Sequence, residues 1–420
     1  MFLVEFPGTF WFVLLGCGAA MLSVYIWING VRNAMIPIKT FRTVRTTIVI
    51  VVLIGLITSC GTPESASHKE FFIIESEGTK LKVETVTDSI IIPFGMDFLP
   101  DGRLLVSDRA LGHIVVVNTE TGKKELLQGV PNVIGQGDGG LLDILVHPNY
   151  KNNGWIYFSY SEGDTTSNTM VVDRAKLDGL KLVERERLFT ALPHYKKPLH
   201  HGSRLVLNDG NLFIAMGEKT DMKDSAQTLN NHLGKVLRIY EDGRVPEDNP
   251  YVGKPNTKPE VWSYGHRNPN GLTFNPATGE LWEHEHGPMG GDEINIIKPG
   301  LNYGWPVITY GLNYDSTKVG EGITEKEGME QPIYFYKPSI APSGMQFYTS
   351  DVLHSWKGNL FIGSLVLRHL NRLVIENNKV IKEERLLIDK NWRVRSVKQG
   401  PDGYLYIGVD GGKILRIMPN

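Results

Sequence analysis

Six times along the chain a polar turn leads into a short, alternating apolar strand, often followed by a second. The segments are LPDGRLLVSDRALGHIVVVN (99–118), HPNYKNNGWIYFSYSE (147–162), LNDGNLFIAMGE (207–218), NPATGELWEHEHG (275–287), WKGNLFIGSLVLRHLNRLVI (356–375) and GPDGYLYIGVDGGKILRI (400–417). Turn signals such as Asp-Gly, Asn-Gly and Gly-Asn separate runs with the two-residue period of half-buried strands. The units cover about 350 residues at roughly 60 per unit, the spacing of a repeat architecture. One hairpin cannot bury its apolar face alone, and radial repetition leaves only short, protected edges. Residues 69–420 are therefore expected to form an all-β, six-bladed β-propeller. A β-sandwich is the architectural alternative, but six similar units suit a closed ring better. Functional side chains should then come from several distant units and gather where the innermost strands open onto the central channel.

The first sixty residues read as an address. Phe10 to Ile28 is long enough to cross a bilayer, and Thr47 to Ser59 has the length of a signal-peptide apolar region. Arg32, Lys39, Arg42 and Arg45 lie between them, which the positive-inside rule assigns to the cytoplasm. The second run ends LITSC, so it resembles a lipoprotein signal with Cys60 as the lipidation site. The expectation is an N-terminal membrane and signal region (1–60), a polar tether (61–68) and the propeller (69–420). Such a chain would be exported and membrane-anchored, facing the periplasm or seated on an outer membrane. Met35 opens a stretch complete as a signal by itself, so residues 1–34 read either as a mis-chosen start or as an extra membrane helix.

Charge narrows the partners. Residues 1–60 carry a net +3 and the remainder −5. A mildly acidic body argues against nucleic acid, whose binding leaves a basic footprint. The cysteines, Cys17 and Cys60, both precede the propeller, which can hold no disulfide.

Four segments spend polar residues where the repeat does not ask for them. His200-His201-Gly202-Ser203-Arg204 offers an imidazole with a pKa suited to general-base work. Gly265 to Gly271 (GHRNPNG) presents Arg267, Asn268 and Asn270 on a turn fixed by proline and glycine. Glu283-His284-Glu285-His286-Gly287-Pro288 first suggests a transition-metal site. On a strand, however, the two histidines face one side and the two glutamates the other, and no third ligand follows at a recognisable spacing. The Gly287-Pro288 turn instead offers backbone carbonyls, the hard oxygens calcium accepts. Arg393 and Arg395, two apart on a strand, point the same way and call for an anionic partner of carboxylate or phosphate type.

Taken together, these segments resemble the soluble, quinone-dependent glucose and aldose sugar dehydrogenases. The likeness covers almost all of 85–418 and includes GQGDGGLLD (135–143), His200 to Arg204, GKVLRIYEDGRVPEDNP (234–250), EVWSYGHRNPNGLTFNP (260–276), GDEINIIKPGLNYGWP (291–306) and Arg393-Val394-Arg395. The resemblance implies oxidation of aldoses at C1 by pyrroloquinoline quinone (PQQ) with Ca2+. It implies His200 as catalytic base, Arg267 as stabiliser of negative charge on the quinone oxygen, and Glu218 as the acid that orients His200. Asn268, Asn270, Gln136, Arg393 and Arg395 would contact the cofactor or the space beside it, and the carbonyls of Gly287 and Pro288 would hold the calcium. An external quinone or cytochrome would take the electrons.

The chain departs from the family pattern at several places. Glu218 replaces an aspartate, Leu199 an aspartate before the catalytic histidine, and Asn270 a glutamine. Val366 falls where a cofactor-binding lysine is expected, with Arg368 two residues on as a substitute. The broad-specificity aldose dehydrogenases are the nearest subgroup. Two other readings stand beside this one: a calcium-dependent lactonase, in which the Arg393/Arg395 pair has no role, and a catalytically idle binding module.

Overall fold

The computed structural model describes residues 70–420 and, before them, two short strands. These are β1 (Phe2–Val4) and β2 (Phe12–Leu14), paired antiparallel. The run ending LITSC that resembles a lipoprotein signal, its Cys60 and the tether lie outside the described residues, as does most of the apolar run from Phe10. Among the described residues no helix is long and apolar enough to cross a membrane.

Within Lys69–Asn420 the strands form six antiparallel sheets. Blade 1 is β5 (Pro93–Phe98), β6 (Leu104–Asp108), β7 (His113–Val117) and β8 (Lys124–Leu126). Blade 2 is β9 (Leu141–Val146), β10 (Trp155–Gly163), β11 (Asn168–Asp178) and β12 (Lys181–Thr190). Blade 3 is β13 (Gly202–Asn208), β14 (Asn211–Met216), β15 (Lys235–Tyr240) and β16 (Val261–Tyr264). Blade 4 is β17 (Pro269–Phe274), β18 (Leu281–Glu285), β19 (Asp292–Ile297) and β20 (Tyr334–Tyr336). Blade 5 is β21 (Pro342–Phe347), β22 (Leu360–Ser364), β23 (Leu370–Glu376) and β24 (Lys379–Leu386). Blade 6 is β25 (Val394–Gln399), β26 (Leu405–Val409) and β27 (Gly412–Pro419), completed from the other end of the chain by β4 (Thr79–Ile90) and β3 (Phe71–Ser76). Each of the six sequence echoes lies in a different blade.

Neighbouring inner strands β5, β9, β13, β17, β21 and β25 touch in that order, and β25 returns to β5. The ring is also closed by hydrogen bonds onto its own start, because β27 pairs with β4 from Gly412↔Ile90 to Pro419↔Leu81. That pairing satisfies backbone groups that an open sheet edge would expose. Strands β6, β18, β22 and β26 are buried at every residue, because neighbouring blades cover both of their faces. Between blades 2 and 3, for example, Leu142, Tyr157, Met170 and Val172 pack with Leu205, Ile214, Leu237 and Val261. Each such side chain contributes roughly 1.5–3 kcal/mol when fully buried.

One feature recurs in all six blades. Every inner strand slips register by a residue near its first end, around Phe94-Gly95, Leu142-Asp143, Ser203-Arg204, Asn270, Gly344 and Arg395. A bulge leaves a residue unpaired and re-aims side chains. Six bulges at one level of the ring turn polar groups into the channel.

Candidate active site

Above the bulges is a cavity of about 260 Å3 whose lining includes His200, Arg267, Asn268, Asn270, Arg393 and Arg395. Blades 3, 4 and 6 and the loops that enter them thus bring together residues up to 195 positions apart in sequence. His200 precedes β13 with φ 47°, in the left-handed region that non-glycine residues rarely occupy. Its backbone N–H donates to Asp138 (3.2 Å), and its Nδ1 lies 3.1 Å from Glu218 Oε1. Glu218 is itself buried, and its own N–H donates to the Arg267 carbonyl at 2.9 Å. His200, the Glu218 carboxylate and Arg267 are therefore one connected unit across two blades.

Arg267 is buried, lies 5.2 Å from the Trp305 ring, and donates through Nη1 to the carbonyls of His286 (3.0 Å) and Gly287 (2.9 Å). Its backbone N–H donates to the Glu285 carboxylate. Asn268 accepts from Gly202 N–H at 3.2 Å, and the Asn270 amide donates to the Asn268 carbonyl at 3.1 Å.

Arg393 and Arg395 both aim at the cavity, but their anionic partner is already in the chain. Asp410 accepts from Arg393 Nε (3.0 Å) and from Arg395 Nε (2.9 Å) and Nη2 (2.6 Å). Burial raises the Asp410 pKa, and the two guanidinium groups outweigh that and hold it below the usual range. One carboxylate between two arginines leaves positive charge over. Arg109, which the sequence reading did not single out, adds more. It lines the cavity, 4.0 Å from Asp138, and burial together with Arg395 pulls its pKa down to about 10. The site has four guanidinium groups in its lining against the single carboxylate of Asp138.

Other expected residues lie elsewhere. Gln136 is exposed and outside the cavity lining; its loop contributes Asp138 instead, because Gln136 turns outward where its carbonyl accepts from Gly139 N–H. Gly287 and Pro288 line an adjoining hollow of about 580 Å3, together with Met289, Leu312 and Lys337. This hollow shares His286, Tyr314, Ala341 and Val366 with the cavity. Val366 is exposed and places no charge there; Arg368 lines neither space, whereas Lys337 brings an ammonium group to the same hollow. The hollow's lining holds no carboxylate. Two neutral carbonyls are hard oxygen donors fit for calcium, but a cation there needs anionic ligands brought by the cofactor.

Strand parity separates the Glu-His-Glu-His run as expected. His284 and His286 face blade 5, with Nε2 at 3.4 Å from the Gly344 carbonyl and 2.8 Å from that of Pro342. Burial lowers both imidazole pKa values, that of His284 to about 3. On the other side Glu283 and Glu285 meet His266, with potential ligand atoms within 4.8 Å of one another and all three residues buried. Burial and the Glu285 charge push Glu283 and Glu293 well above the ordinary carboxylate range. Protons or a cation must neutralise this group. Sequence spacing missed it because His266 arrives from the loop between β16 and β17.

Two further residues were given no role by the sequence reading, Lys219 and His201. Lys219 is buried with Nζ 2.6 Å from His201 Nδ1, and burial brings its pKa down to about 7. His201 lines the cavity, and burial and the Lys219 charge keep it neutral.

Residues 90–416 match the family model for glucose/sorbosone dehydrogenase. An aldose sugar dehydrogenase of Escherichia coli is 39% identical over 346 residues, 81% of this chain and 93% of that protein. The crystal structure of the soluble aldose sugar dehydrogenase from Escherichia coli in its apo-form superposes with a TM-score of 0.78, at 38% identity over 81% of this chain and 100% of that one. The PQQ-bound aldose sugar dehydrogenase of Streptomyces coelicolor gives a TM-score of 0.65 at 27% identity, covering 84% and 98%. The chain belongs to the glucose/sorbosone dehydrogenase family, the PQQ-dependent sugar dehydrogenases.

Proposed function

We propose that this protein oxidises aldose sugars at C1 to the lactone, with PQQ and Ca2+ as cofactors and His200 as the general base. The observation that carries the reading is the convergence of His200, Arg267, Asn268, Asn270, Arg393 and Arg395 on one cationic cavity. PQQ is a flat tricarboxylate that supplies the hydride acceptor when bound. Arg393, Arg395 and Arg109 fit its carboxylates, since guanidinium forks pair with such groups bidentately. Asp410 would keep the forks aligned before the cofactor arrives. Asn268 and Asn270 offer amide groups beside it.

Glu218 accepts from Nδ1–H of His200 and so leaves Nε2 to take the proton of the sugar's anomeric hydroxyl. Arg267 presents positive charge where negative charge develops on an oxygen, an electrostatic role whose removal typically costs on the order of 100-fold or more in rate. The Gly287 and Pro288 carbonyls would hold the calcium and Lys337 would stand in for the expected lysine at Val366. Leu199 in place of a polar sugar contact suits a broad range of aldoses. The N-terminal segments would anchor the enzyme outside the cytoplasm through Cys60, within reach of a quinone or cytochrome acceptor.

The test is reconstitution. Apo-protein should reduce an artificial dye with aldoses only when PQQ and Ca2+ are both added. Tight cofactor binding without turnover would instead favour the idle binding module. Hydrolysis of lactones with calcium alone would favour the lactonase.

A further inference from the structure

Arg204 lies in the channel on β13, and its side chain reaches the inner strand of every other blade. Nε donates to the Asn270 carbonyl on β17 (2.9 Å), and Nη1 to the Phe94 carbonyl on β5 (2.7 Å) and to Asp143 Oδ1 on β9 (3.2 Å). Nη2 donates to Ser343 Oγ on β21 and to the Arg395 carbonyl on β25, each at 3.4 Å. The guanidinium also stacks 4.1 Å above the Phe94 ring. Four of these acceptors belong to the bulges, and the fifth, Ser343, flanks the bulge at Gly344. A bulge frees carbonyls from the ladder, and a buried carbonyl without a partner is costly. The planar fork of arginine, with five donors, can satisfy several at once.

The channel changes character at this side chain. Above it is the cationic cavity; below it is a separate space of about 100 Å3 lined by Asp143, Arg204, Thr273, Gln346 and Lys398 among others. Asp143, the one carboxylate that touches Arg204, spends its other oxygen on Leu205 N–H (2.9 Å). Two of the three carbonyls that Arg204 holds belong to Asn270 and Arg395, whose side chains line the cavity.

We propose that Arg204 is the plug of the central channel and a positioning residue for the cofactor. By fixing the bulges of all six blades it sets where Asn270 and Arg395 stand, although it touches no ligand itself. The part of this that concerns the cofactor rests on the function proposed above.

Two readouts on Arg204→Lys separate the claims, because an ammonium group keeps the charge but cannot span the bulges. Amide hydrogen exchange of the apo-protein, which needs no cofactor, should accelerate about tenfold or more at the bulges of blades 1, 4 and 6. Titration with PQQ and Ca2+ should show affinity weakened about tenfold or more. Leu205→Ala, which opens a cavity one residue further on, should lower Tm but leave affinity within about threefold. Should Arg204→Lys fail to fold, the double variant Arg204→Gln/Asp143→Asn, which leaves no buried charge unpaired, takes both measurements. Unchanged exchange at the bulges overturns the plug. Unchanged affinity, or an equal loss in Leu205→Ala, overturns the positioning role. Wild-type protein that binds no PQQ counts against the proposed function and leaves the exchange result to decide the plug.

Discussion

Replacing Glu218 by glutamine tests the assignment of His200 as base with little change of shape. The carboxylate lies 3.1 Å from Nδ1 and is fully buried, so water cannot take its place. A hydrogen bond to a charged group contributes about 1.5–3 kcal/mol, against about 1 for a neutral one. The amide adds a second effect, because its NH2 can donate to Nδ1 and shift the ring proton to Nε2. The nitrogen meant to accept the substrate proton would then carry one already. Loss of about 1.5–3 kcal/mol in the transition state corresponds to a kcat lowered about 10- to 150-fold. Cofactor affinity should hold within about threefold, since Glu218 is not in the cavity lining. Dye reduction by the reconstituted enzyme at saturating aldose measures kcat, and a PQQ titration measures affinity. A Glu218→Gln enzyme with wild-type kcat would refute the reasoning.

Other outcomes follow from the same geometry. Arg395→Ala should weaken PQQ binding about tenfold or more, read by titration, because it removes a fork and frees Asp410 to compete for Arg393. Calcium chelation should lower the Tm of the PQQ-loaded protein more than that of the same protein without PQQ, since the Gly287-Pro288 hollow has no carboxylate of its own. Lys219 has its folded pKa depressed to about 7, below the unfolded value, so the unfolded chain binds the extra proton between them. Stability from this group therefore rises with pH from about 7 towards the unfolded value, by about 1.4 kcal/mol per unit at most. Lys219→Met should flatten the rise in Tm over that window, and an unaltered slope would contradict it.

The propeller was legible because each hairpin announces itself through its turn residues and the two-residue period of its strands. The bulges were not, since one inserted residue leaves no mark on composition; yet they aim Asn270 and Arg395. The pairing of Arg393 with Arg395 could be read from strand parity, but their partner Asp410 could not. In the sequence it is one more aspartate at the end of a strand, before Gly411-Gly412. Arg109 was hidden in the same way, as an ordinary hairpin residue in SDRALG. That Gln136 falls outside the cavity lining was not legible, because four glycines between 135 and 140 leave the course of that loop open to tertiary contacts. The buried His266–Glu283–Glu285 group shows a related limit. Parity predicted that the glutamates share a face, but only the fold reveals what meets them there.

The account depends most directly on the cavity being the cofactor's seat. Equilibrium titration of the apo-protein with PQQ, in the presence of Ca2+, measures that in wild type and in Arg393→Ala/Arg395→Ala. Saturable binding at one site per chain, lost in the double variant, is the predicted result. Equal binding in the two proteins would place the cofactor elsewhere and contradict the account.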